Sequence, residues 1–236
     1  DNLYNAMGAS HLNAHTSDEE TVYKVSLPSN RLEQWAMLES ERFWNPVFRI
    51  FHTELETVYE EKNRSLDNKD WITYEQHART LFPEHPYGTQ PTIGLVEHLK
   101  NPSLVNIHNY FDTYYVPNNM AICISGDIDI EETIKVIDQY FSAWEAKPLP
   151  EPKSWDTGIE GVVRTEVKFP GEEEVVISWL TVPKGHPDEH ALTIADFVLD
   201  NSVAGLVKIN LNQRQAVGSA SAFHQFRKDA GTETLS

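Results

Sequence analysis

The sequence predicts an α+β chain: a two-domain α/β sandwich with helices packed on one face of a mostly antiparallel sheet. Strand-like runs and long amphipathic stretches succeed one another along most of the chain, and each apolar strand face needs a helical layer to cover it. The run KPLPEPKSWDTG at 147–158 is too rich in proline to belong to either neighbour and reads as a linker. Beyond it the order of strands and helices repeats in outline. The expected division is a first domain at 1–147, a linker at 148–158 and a second domain at 159–236.

Composition sets the outer bounds. A chain of 236 residues, 40% hydrophobic and 23% charged, is globular and has room for one large or two ordinary domains. A net charge of -17 argues against nucleic acid or an anionic membrane surface as partner, since both are polyanions. The one cysteine, Cys123, excludes an intrachain disulfide, and its setting in MAICISG reads as a buried strand thiol. No apolar run approaches the ~20 residues that span a bilayer, and the polar start DNLY is not a signal peptide.

Residues 1–7 read as the tail of a helix closed by Gly8, a beginning cut off in mid-element. His11, Asn13 and His15 alternate with Leu12 and Ala14, and TVYKVSL follows a polar turn, so the pair reads as a hairpin with His11 and His15 on one face. Two histidines at that spacing are either metal ligands or exposed polar side chains; no third ligand is near. Ser29 or Asn30 caps a helix that Asn45-Pro46 breaks. Helices follow at 71–82, 95–99 and from 102, the last with a stripe of Ile107, Tyr110, Phe111 and Tyr114 that reads as core. A strand at 118–125 precedes a helix at 130–144. Past the linker come strands at 162–169 and 174–182, helices at 188–199 and 203–212, and a strand at 216–223.

The segment FHTELETVYEEKNRSLDN, 51–68, is the chemically informative helix. Its apolar stripe is Phe51, Leu55 and Val58. Glu54 and Glu61 are seven residues apart, about two turns, and lie along one line at the border of that stripe, whereas Glu56 and Glu60 point away. Two aligned, partly desolvated carboxylates point to a cation or a proton-transfer role. The alternative is a pair of ordinary surface acids.

Several strings together resemble the insulinase and pitrilysin family of zinc metallopeptidases. GASHLNAHTSDEETVY at 8–23 is similar to the strand pair that follows the family's zinc-binding helix, and ELETVYEEKN from Glu54 resembles its second zinc-site helix. HPYGTQPTIG, YYVPNNMAICISGD and LDNSVAGLVKINLNQRQAVGSASAF continue the likeness in one order over nearly the whole chain. The resemblance implies that Glu61 completes a zinc site and that Glu54 is the supporting acidic residue of the catalytic machinery. It also implies that Asn13 and Ala14 lie on a strand edge to which a peptide or unfolded polypeptide adds by backbone pairing. In the family, two histidines and a catalytic glutamate come from an HxxEH helix upstream of the Asn13 strand. This chain shows no such helix, nor the family's arginine and tyrosine from its second half. The expectation is therefore a fragment of a zinc endopeptidase, itself inactive, whose partner is the remaining half of the parent or a second subunit. An extracytoplasmic place fits many bacterial relatives. Two alternatives stand beside this: a non-catalytic partner or scaffold subunit of the same family, and an unrelated acidic binding module.

A literal HxxEH occurs at His186-Pro187-Asp188-Glu189-His190. Pro187 favours the first helical position, so His186 is expected at the N-cap, off the face that His190 occupies. Its position after the linker is also the wrong order for the family's zinc motif.

Overall fold

The computed structural model describes residues 2–201 and 203–236. They form two compact units, one of residues 1–62 with 92–153, the other of 63–91 with 154–236. The break at 153/154 falls within the expected linker at 148–158, but residues 63–91 group with the second unit rather than with the first. Residues 63–91 precede the linker, yet Leu81, Phe82 and Tyr87 share one buried cluster with Ala230.

The first unit opens with α1 (Asn2–Ala6), closed by Gly8 at φ 79° as the sequence predicts; Asp1 lies outside the described residues. β1 (Ser10–Thr16) and β2 (Thr21–Ser26) form the expected antiparallel hairpin, in which Asn13 faces Lys24 and Ala14 faces Tyr23. Its register is interrupted between Ser10 and Asn13, where His11 takes φ 53°. A bulge of this kind breaks the period-two alternation, so spacing alone no longer places His11 and His15 on one face. A short 3-10 turn, Ser29–Arg31, leads into α2 (Leu32–Trp44), and α3 (Phe51–Leu66) follows.

The second unit takes α4 (Lys69–Leu81), capped by the Asn68 side chain accepting from the Trp71 N–H, and α5 (Pro86–Thr89). The chain returns to the first unit with α6 (Val96–Lys100), α7 (Leu104–Tyr114), and α8 (Ile130–Phe141), whose N-cap Asp129 accepts from the Glu132 N–H. α2 packs on α8 through Trp35 and Phe141, with ring centres 6.4 Å apart, and the Tyr140 hydroxyl donates to Glu33. An aromatic group joins the hairpin to these helices. Phe43 meets Tyr23 edge-on at 5.3 Å, Tyr115 stacks on Phe111 at 4.3 Å, and the Arg42 guanidinium lies over Phe43 at 4.3 Å. Tyr110 and Tyr114, expected in the core, are exposed at 61% and 39% and lie tilted against each other with ring centres 4.7 Å apart, so only Ile107 and Phe111 of that stripe face inward.

Tyr23 and Tyr115 share a hydroxyl hydrogen bond of 2.9 Å. Burial first, then the bond with Tyr23, pushes the Tyr115 phenol up to about 12. A pKa raised on folding adds stability that is fully present below the unfolded value of about 10 and is lost as pH climbs through the folded value. The expected result is a fall in stability between about pH 10 and about pH 12, part of which Tyr115→Phe removes. Alkaline denaturation that is identical in the two proteins would contradict it.

The strand expected at 118–125 is absent: Pro117–Asn119 is a 3-10 turn, and 120–125 pairs with no strand among the described residues. Cys123 is therefore exposed rather than a buried strand thiol.

In the second unit, the expected strand at 162–169 does not form, and Val162 is fully exposed at 100%. The strand expected at 174–182 is confined to β3 (Ile177–Thr181). α9 (Glu189–Leu199) is followed by a π-helical turn, Lys208–Asn212, and the last expected strand lies later, as β4 (Ala222–Phe226). β5 (Gly231–Leu235), which the sequence reading lacks, is the centre of an antiparallel sheet in the order β3-β5-β4. Under it lies the core of Leu81, Phe82, Tyr87 and Ala230, with Ile159 and Leu180 packed against them. Gly88 follows from this packing, because a Cβ there would press into the carbonyl oxygens of Phe82 and Ala78.

Candidate functional site

α3 is an unbroken helix of 16 residues, so Glu54 and Glu61 do sit two turns apart on one rod. Glu54 stands in the first turn, where the helix dipole favours a negative charge. The expectation of partial desolvation is corrected: both carboxylates are exposed. The inward side of the helix is built by Leu55, Val58, Tyr59 and, at 3% exposure, Lys62. Lys62 follows Leu55 and Val58 at the i, i+3, i+7 spacing, so its place on that stripe was visible in the sequence, though a lysine there was not read as buried.

Asn13 and Ala14 lie on β1, every residue of which is exposed. Among the described residues β1 pairs only with β2, which leaves its other edge open. The Asn13 side-chain carbonyl accepts from the Ala14 N–H at 2.8 Å.

Zinc tests the donor set directly. A hydrolytic zinc needs three protein ligands and a water. Among the described residues no three His, Cys, Asp or Glu side chains stand together to hold a metal ion. Glu61 with its surroundings here does not fit a complete zinc centre.

The HxxEH string is divided by the start of α9. The helix begins at Glu189 with Asp188 as N-cap, two residues later than expected. His186 lies before it, its Nδ1 accepting from the Asp188 N–H at 3.1 Å, while the Glu189 carboxylate accepts from the Gly185 N–H. His186 and Glu189 thus serve the local turn, and His190 is exposed.

Helices on small antiparallel sheets define an α+β protein. Residues 103–235, more than half of the chain, match the family profile described as "Peptidase M16 inactive domain", and the chain belongs to the peptidase M16 family. It is 28% identical over 160 residues to the probable zinc protease PqqL of Escherichia coli, a match covering 66% of this chain and 17% of that protein. It is 22% identical over 231 residues to the uncharacterized zinc protease YmxG of Bacillus subtilis, covering 95% of this chain and 55% of that protein. The crystal structure of periplasmic PqqL superposes with a TM-score of 0.79 at 22% identity, over 99% of this chain and 28% of PqqL. A protease from Helicobacter pylori gives a TM-score of 0.79 at 19% identity, over 99% of this chain and 58% of that one. The chain thus spans little more than half, or less, of these proteins' length. No helix among the described residues is long and apolar enough to cross a membrane.

Proposed function

We propose that this chain is part of a zinc-dependent endopeptidase that hydrolyses peptides or unfolded segments, and that these 236 residues alone are inactive. In this reading Glu61 is one ligand of a metal whose other ligands lie on an HxxEH helix outside these residues. Glu54 is the acid that supports it, and the open edge of β1 at Asn13 and Ala14 receives the extended substrate. The observation that carries it is the presentation of both carboxylates to solvent, two turns apart, from one unbroken helix. Exposed acids are free to enter a site completed by another segment; acids already paired in a core are not. The partner is the remainder of the parent or a second subunit, and the compartment is extracytoplasmic, in line with the periplasmic E. coli relative. A non-catalytic subunit is the second reading, favoured by the "inactive domain" description of the profile over 103–235.

The purified chain is expected to hold far less than one zinc per molecule after dialysis and to leave fluorogenic peptides intact, because one carboxylate cannot outcompete water for the ion and no general base is supplied. Metal analysis and a chelator-controlled peptide assay check this. Stoichiometric zinc, or cleavage that chelators abolish, would overturn the claim that the site is incomplete. A parent sequence without an upstream HxxEH would favour the non-catalytic reading.

A further inference from the structure

A cavity of about 220 Å³ lies within the second unit, between α4 and the β3-β5-β4 sheet, and none of the candidate site residues above lines it. Its walls are apolar where Leu81, Phe82 and Phe223 line it. Its polar lining is unusual for being buried: Arg227 is 8% exposed, Thr232 5% and Thr234 4%. The guanidinium is fixed rather than free to swing out. Its Nη2 donates to the Gln225 side-chain carbonyl at 2.8 Å, and its carbon lies 4.9 Å from the Tyr87 ring centre and 5.6 Å from that of Phe82. His77 also lines the cavity, with Nε2 2.7 Å from the Ser178 hydroxyl, which in turn lies 2.9 Å from that of Thr234. Burial, and after it the positive charge of Arg227, holds the His77 imidazole below its ordinary pKa.

We propose that this cavity binds a small organic carboxylate with an apolar body, its charge set against Arg227 and its body against the Phe82 and Phe223 side. The volume is below the roughly 300–1,000 Å³ of pockets for drug-sized ligands, so the occupant is about the size of a single side chain. A guanidinium presents a planar fork that matches a carboxylate, and a desolvated cation gains more from such a partner than an exposed one. Asp70 and Glu174 also line the cavity and are exposed, with Glu174 held by Lys69 at 3.2 Å. These acids, on a chain of net charge -17, select against a multiply charged anion such as a phosphate ester and for a singly charged one.

The test uses the 236-residue chain, isotope-labelled, with 3-phenylpropionate against 3-phenylpropan-1-ol, which keeps the body and lacks the charge. The acid is expected to bind saturably, moving the His77, Phe82 and Phe223 resonances and raising the His77 pKa, because the bound charge offsets Arg227. The alcohol is expected to bind about tenfold or more weakly, the scale of one charge-assisted hydrogen bond. Asp70→Asn is expected to tighten the acid and leave the alcohol unchanged, and Arg227→Gln to abolish the preference. Should Arg227→Gln fail to fold, the acid-to-alcohol ratio in the unaltered chain and the Asp70→Asn response decide. Equal affinity for acid and alcohol, an unmoved His77 titration, or no saturable binding at millimolar acid would overturn the proposal.

Discussion

Phe82→Ala is expected to cost about 3–5 kcal/mol, the range for removing a large buried aromatic, and so to unfold most of the second unit under native conditions. Phe82 is 1% exposed and at the centre of the only buried hydrophobic cluster that the described residues of this unit form. Its ring meets Tyr87 edge-on at 5.4 Å and His85 at 5.8 Å. His85, itself 1% exposed, accepts the Tyr87 N–H on Nδ1 and lies 3.2 Å from the Asp229 carboxylate through Nε2, while the Asp229 N–H donates to the Tyr87 hydroxyl. One ring thus supports both the α4–α5 segment and the β4–β5 turn. Removing it leaves a void whose lining is held in place by hydrogen bonds and cannot collapse cheaply. Phe82→Leu, which keeps most of the volume, should cost much less, and urea denaturation of both variants checks the difference. A loss under about 1 kcal/mol for the alanine variant would mean that this cluster is not what holds the unit together.

Helices were legible because their signals are local. The expected helices at 71–82, from 102 and at 130–144 lie within a few residues of α4, α7 and α8, whose starts the structure caps with Asn68, Ser103 and Asp129. Strands were less so, since pairing depends on a neighbour that a local window does not contain. Residues 118–125 and 162–169 alternate like strands yet find no partner among the described residues. β5 shows the converse. Its sequence, Gly-Thr-Glu-Thr-Leu, hides its inward positions because Thr232 and Thr234 are polar, and Thr234 is accommodated by its hydroxyl contact with Ser178. A central strand with polar buried positions lacks the alternation on which a period-two reading depends.

The candidate site was legible in spacing but not in environment. A spacing of seven positions from Glu54 to Glu61 gives alignment on any straight helix, and α3 is one. Whether such acids are desolvated depends on what packs beside the helix, and here it is Lys62, not either glutamate, that is buried. Likewise the HxxEH string at 186–190 satisfies a pattern of residue types while the helix start at Glu189 removes the geometry the pattern stands for.

In a parent chain that carries the upstream HxxEH helix, Glu61→Gln is expected to abolish peptidase activity and release zinc, whereas Glu54→Gln lowers activity by roughly 10- to 100-fold and keeps most of the metal, as changes to supporting acids do. Their positions make the pair informative. Glu54 has an ordinary reason to exist, since it complements the helix dipole in the first turn, so its loss also costs about 0.3–1 kcal/mol of helix stability. Glu61 has no such reason: it lies beyond the first turn, exposed, and an exposed glutamate in that place is replaceable within about 0.5 kcal/mol. A large functional loss with an unchanged melting temperature for Glu61→Gln therefore reports a metal ligand and not a damaged fold. Zinc content, peptide turnover and thermal unfolding measured on both variants separate the possibilities. If Glu61→Gln keeps both zinc and activity, the two carboxylates are surface acids and the assignment of α3 to a metal site fails.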